Sequence, residues 1–182
     1  MTKKPTFSVR LAKLPCACGG VLQPFKLQGK YDASIELGIS AVVRGAVFLL
    51  KCNRCGGLSL AGSMLDALSD EAVLLLLKLD RCLSGGEARF LRKAALAIGQ
   101  EELARALGLT RVTVARWECG QSLSPPHDFQ LRGLVLGRLC KAGRFAGRWK
   151  KRREELTALI PVLEAARTAQ APRSPPPLQL AA

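Results

Sequence analysis

Four cysteines in two matched settings constrain this chain most. Cys16-Ala-Cys18-Gly-Gly is followed 36 positions later by Cys52-Asn-Arg-Cys55-Gly-Gly. A loop that turns back on itself aims two thiolates at one point, and the residues after the second cysteine need the dihedral freedom of glycine. Together, Cys16, Cys18, Cys52 and Cys55 offer four soft donors, the closed tetrahedral set of a structural zinc ion. Iron–sulfur ligation and four buried free thiols are the alternatives. The second pair has the common C-x-x-C spacing; the first is C-x-C and needs a tighter loop. A closed site of four thiolates leaves no position for a reacting water, so it props or positions rather than catalyses. Between the pairs, Ile39, Ala41, Val43 and Ala46–Leu50 are apolar and partly β-branched. They predict two or three short strands with turns at Gly29, Gly38 and Gly45. So small a sheet calls for a metal staple, and residues 1–62 read as a zinc-binding β domain.

The rest of the chain changes period. Leu65–Leu83 reads as a helix, with Ser69 as N-cap and Asp70 and Glu71 in the first turn, where they complement the dipole. Its leucines spill beyond one stripe, which implies burial on two sides or a dimer contact. Residues 63–85 are therefore a connector helix, broken at Ser84-Gly85-Gly86. Glu87–Ile98 starts an all-helical block spanning 86–140. Within it, Gln100–Gly120 predicts two short helices across a tight turn. Leu103, Ala104 and Leu107 line the first, Gly108 stops it, and Thr110 caps the second. In the second, Val114 and Trp117 face one way, and Arg111, Val112, Ala115 and Arg116 the other. Ser124-Pro125-Pro126 ends this unit and starts a last helix carrying Phe129, Leu131, Leu134, Val135 and Leu139.

The series Gln100, Glu101, Leu103, Ala104, Leu107, Gly108, Thr110, Val114, Arg116, Trp117, Glu118 and Gly120 resembles the helix-turn-helix of the Xre/Cro phage-repressor family. The wider order of parts, over roughly Pro15 to Cys140, resembles the MqsA/YgiT-type zinc-finger antitoxins. That resemblance implies an α+β protein: a small four-cysteine zinc-binding β domain followed by an all-α helix-turn-helix domain of the phage-repressor type. It implies Cys16, Cys18, Cys52 and Cys55 as ligands of a structural Zn2+, and Arg116 as a base-reading arginine. It further implies a homodimer on double-stranded DNA with a palindromic operator, a toxin protein as partner, and Glu118 paired with Arg92 or Lys93 of the first helix. Val112 stands where the family often has an asparagine. The interval from Leu91 to Gln100 is one residue longer than the family pattern. The DNA-binding set is thus Gln100 and Thr113 on phosphates, Arg111 and Arg116 on guanine edges, with Val112 and Ala115 beside them.

Charge agrees with a polyanionic partner. The formal net charge is +14. Residues 1–62 hold nine basic and two acidic side chains, and residues 141–182 hold nine and three, whereas 63–140 hold ten and nine. The excess lies at the ends. Residues 141–170 read as a basic helical extension and 171–182 as a disordered Pro-rich tail. The start lacks a signal-peptide core and no apolar run reaches the ~18 residues of a membrane span, so a cytoplasmic protein without membrane contact is expected. An enzyme is not expected. The one histidine, His127, sits in a Ser-Pro-Pro-His turn with no carboxylate pair, nucleophile motif or phosphate loop near it. The expected function is a sequence-specific transcriptional repressor, the antitoxin of a toxin–antitoxin pair. The alternative is a stand-alone phage or mobile-element regulator with a structural zinc domain.

Overall fold

The computed structural model describes residues 14–141 and 178–181. It is a mixed α+β chain. Strand β1 (Leu14–Pro15) pairs antiparallel with β2 (Val21–Asp32), β2 with β3 (Ala41–Cys52), and β3 with β4 (Leu58–Leu60). A one-turn helix α1 (Ser34–Leu37) closes the β2–β3 ribbon. Six further elements follow: α2 (Gly62–Lys78), α3 (Gly85–Leu91), α4 (Gln100–Leu107), α5 (Arg111–Glu118), α6 (Pro125–Lys141) and β5 (Leu178–Ala181).

The expected short strands are instead two strands of twelve residues each. Gly29 and Gly45 are not turns. They face each other as direct partners in mid-ribbon, at φ 121° and 115°. With no Cβ on either strand at that rung, both backbones adopt a conformation that other residues resist. Gly38 does turn, at φ 68°, and its N–H reaches the Ser34 carbonyl. Alternation along the ribbon then sorts the side chains. Phe25, Leu27, Tyr31, Val43, Val47 and Leu49 face the core, and Lys26, Gln28, Lys30, Arg44 and Phe48 stay exposed.

Helix α2 starts seven residues before the Ser69 cap that the sequence suggests. Met64, Leu65 and Leu68 extend the apolar face backwards onto the core, and burial of that face outweighs a local capping preference. The helix also stops earlier than expected, at Lys78, because its end is met from outside: the Arg132 guanidinium donates to the carbonyls of Leu77, Leu79 and Arg81. Ser84-Gly85-Gly86 is both a break and a start. The Ser84 hydroxyl accepts from the Glu87 N–H while the Glu87 carboxylate accepts from the Ser84 N–H, a reciprocal cap.

Helix α3 runs on into a π-helical turn, Arg92–Leu96, and leaves it through Ala97 at φ 55°. A π turn holds one more residue than an α turn. One contiguous cluster of buried side chains runs from Val43, Val47 and Leu49 of β3, through Leu68, Leu76 and Leu77 of α2, to Leu103, Trp117 and Leu131. Among the described residues, the buried side chains of sheet and helices form this one cluster. The tail expected to be disordered contributes β5, which pairs parallel with Ala41–Arg44 of β3. Its Leu-Gln-Leu-Ala sequence follows the last proline, so every backbone N–H is free to join a ladder. The basic extension from 142 onward and the tail up to 177 lie outside the described residues. Among the described residues, no helix is long and apolar enough to cross a membrane.

Candidate metal centre and nucleic-acid interface

The cysteine pairs meet because the β2–β3 register sets Leu22 opposite Cys52. Each pair then curls into a knuckle. In the first, the Cys16 N–H donates to the Gly20 carbonyl (2.8 Å) and the Gly19 N–H returns to Cys16 (2.9 Å). In the second, the Cys52 N–H donates to Gly57 and the Gly56 N–H to Cys52. The knuckles are pinned together: Val21 N–H to Asn53 Oδ1 (2.8 Å), Asn53 N–H to the Val21 carbonyl (3.0 Å), and Arg54 to the Cys18 carbonyl (2.8 Å). Gly20 lies at the seam. A Cβ there would come within 2.6 Å of the Cys52 sulfur and 2.7 Å of the Arg54 Cβ.

All four Sγ atoms lie within 4.8 Å of one another, with 3.8 Å between Cys16 and Cys55 and 3.5 Å between Cys18 and Cys52. Thiolates at tetrahedral corners about 2.3 Å from a zinc ion are about 3.8 Å apart. The short C-x-C spacing therefore does not prevent convergence. Backbone N–H groups of Cys55 and Arg54 point at Cys52 and hold its thiol down to about 6, so it is ready as a thiolate at neutral pH. These four cysteines can hold a metal ion.

The two short helices α4 and α5 meet across three residues. Gly108 sits at φ 67°, and Leu109 N–H reaches back to the Ala104 carbonyl (2.8 Å), which closes the end of α4. The Thr110 hydroxyl accepts from the Thr113 N–H and starts α5. Val114 and Trp117 are buried, and Trp117 lies 5.1 Å from the His127 ring. Arg111, Val112 and Arg116 are exposed, Val112 at 58%. Thr113 and Ala115 are half-buried at the edge of that face, the Thr113 hydroxyl 3.0 Å from that of Thr110.

The far end of α5 is locked. Arg92 grips the Glu118 carboxylate with two hydrogen bonds (2.6 and 2.9 Å), and Gln100 adds a third through its side-chain amide (2.8 Å). The partner of Glu118 is thus Arg92, not Lys93. The side-chain N–H2 of Gln100, the expected phosphate ligand, donates to Glu118. Burial raises the Glu118 carboxyl, but the bonds from Arg92 and Gln100 outweigh it and leave it below the ordinary value. Gly85 lets α3 touch this same end; a Cβ on it would lie 1.7 Å from the Trp117 carbonyl oxygen.

No family model, curated protein or solved structure matches the chain.

Two clusters escape a sequence reading built on apolar periodicity. Arg81 pairs with the Glu87 carboxylate through two hydrogen bonds of 2.9 and 2.7 Å. Asp128 accepts from the Leu83 N–H (2.9 Å) and lies 3.0 Å from Arg132, whose side chain is 1% exposed. The signal for the first was Ser84-x-x-Glu87, a capping box. For the second it was an acid and a base four apart in an apolar helix. Neither pattern says which distant backbone carbonyls the arginine reaches.

Proposed function

We propose that this protein is a sequence-specific DNA-binding repressor that reads the major groove with α5 and carries a structural zinc ion on Cys16, Cys18, Cys52 and Cys55. One observation carries the reading. Arg111, Val112 and Arg116 stand exposed together on a helix whose opposite side is sunk through Val114 and Trp117 and whose end is clamped by Arg92. A rigid helix with guanidinium groups outward fits the groove, where arginine meets guanine O6 and N7, and an apolar side chain such as Val112 meets a thymine methyl. Thr113 and Ala115 flank the contact. Gln100 acts as a positioning residue through Glu118. Zinc is preferred over an iron–sulfur cluster because all four sulfurs lie within 4.8 Å of one another, close enough to share a single ion.

Two copies on a palindromic operator would set their α5 helices about 34 Å apart. The antitoxin role, with a toxin protein as partner, rests on the order of parts in the chain. A stand-alone regulator with the same structural zinc domain is the alternative. Selection of bound sequences from random duplex DNA, using the full chain with its metal content measured, tests the reading. The expected result is a palindrome whose preference relaxes at one position in each half-site when Arg116 is replaced by alanine, by about 1–3 kcal/mol of discrimination. Selection that recovers no sequence preference, or one unchanged in Arg116→Ala, overturns the assigned face.

A further inference from the structure

The exposed face of the β2–β3 ribbon has an arrangement that folding does not require. Lys26 stands directly opposite Phe48, and Lys30 directly opposite Arg44, with Gln28 opposite Ala46 between them. An aromatic ring on the solvent face, 56% exposed, buries little. The Lys26 ammonium lies 5.7 Å from the Phe48 ring centre. Asp32 is the one carboxylate among the described residues of this face. It lies at the far end, opposite Val42, and is engaged with the Ser34 N–H (2.9 Å). Lys26 and Lys30 therefore place positive charge on this strip, with one flat apolar ring beside them. Four residues of strand separate Lys26 from Lys30 by about 13 Å, a span of successive phosphates rather than of a single anion.

We propose that this ribbon face binds single-stranded nucleic acid, with a base stacked on Phe48 and the backbone running along Lys26 and Lys30. Charge complementarity selects a polyanion. The ring selects a single strand over a duplex, because the faces of paired bases are covered by their neighbours while those of an unpaired base are open. The contacts use base faces and phosphates, which do not depend on the sugar. This site is separate from α5, so it stands or falls independently of operator recognition.

The test uses the full zinc-loaded chain and a fluorescein-labelled twelve-residue oligothymidylate, followed by anisotropy across a salt series. Phe48→Ala should weaken binding by roughly 5- to 100-fold, the range of one base–aromatic stack, and Phe48→Trp should restore it. Replacing both Lys26 and Lys30 with alanine should flatten the slope of log affinity against log salt by about 1. All these side chains are exposed, and an unchanged melting temperature checks that the variants fold. Wild-type affinity in Phe48→Ala together with an unchanged salt slope in the double-lysine variant would place the binding elsewhere on the chain and overturn the proposal. So would a duplex competitor that displaces the oligomer equally well and depends equally on Phe48.

Discussion

Gly85 shows how much can rest on one missing methyl. Its Cα side faces the Trp117 carbonyl so closely that any side chain must push α3 and α5 apart. Gly85→Ala should therefore destabilise the protein by at least about 1–3 kcal/mol, read as a lowered urea midpoint, whereas Gly86→Ala, with open space around it, should leave the midpoint nearly unchanged. Glu118 is a second such point. Glu118→Ala strands the buried Arg92 guanidinium and should cost about 3 kcal/mol. Acid should do the same by degrees. The folded-state values of Glu118 and Glu87 are depressed, in each case because bonds from an arginine outweigh burial. Their contribution is complete above the ordinary glutamate value of about 4.3 and is lost as pH falls through the lower folded values. Asp128, raised by burial, has the opposite sign, so lowering the pH relieves it. Melting temperatures measured from pH 6 to 3 should fall for the wild type and fall less steeply for Glu118→Gln, starting from a lower value. At this scale the sequence was most readable where chemistry is local. Gly108 and Thr110 act through their neighbours in the chain, and the cysteines announce themselves by the spacing within each pair. Gln100 and Arg132 were opaque because what they touch lies 18 and 51–55 residues away.

Elements were legible to the extent that a repeat period defines them. The α4–α5 pair follows its apolar spacing and its glycine stop closely. Helix α2 does not begin at Ser69, because a good cap residue is only a local preference and the buried face of Met64, Leu65 and Leu68 continues past it. The twelve-residue strands hide behind Gly29 and Gly45, since glycine in a list of residues signals a turn and nothing marks two glycines as partners across a ribbon. Helix ends are where distant elements take hold. Arg132 on α6 serves the carbonyls at the end of α2 while Asp128 serves the Leu83 N–H. Arg132→Ala leaves those carbonyls and the Asp128 carboxylate without their cation, and a loss of about 3–5 kcal/mol is expected. Hydrogen exchange of amides in the last turn of α2 and the first turns of α3 should accelerate most, while the β2–β3 ladder should follow only the global change.

Across the whole molecule, a metal on the four cysteines would be tied to the fold. The knuckles hold the ends of β1, β2, β3 and β4 together, and the buried residues of β3 belong to the same cluster as those of α2 and the later helices. A chelator that removes the ion should lower the melting temperature of the entire chain, and calorimetry of the loaded protein should show one transition rather than two. Four thiols must shed protons to bind an ion, so a metal held there should be retained above neutrality and released as pH falls; a thiol-reactive indicator should count four additional sulfhydryls on release. The uninterrupted core has a practical corollary for dissection. Severing the chain between residues 62 and 63 would hand each piece half of a surface meant to be shared, with the leucines of α2 bared on one and the valines of β3 on the other. Each piece made alone should then clump, which light scattering of the two halves would check.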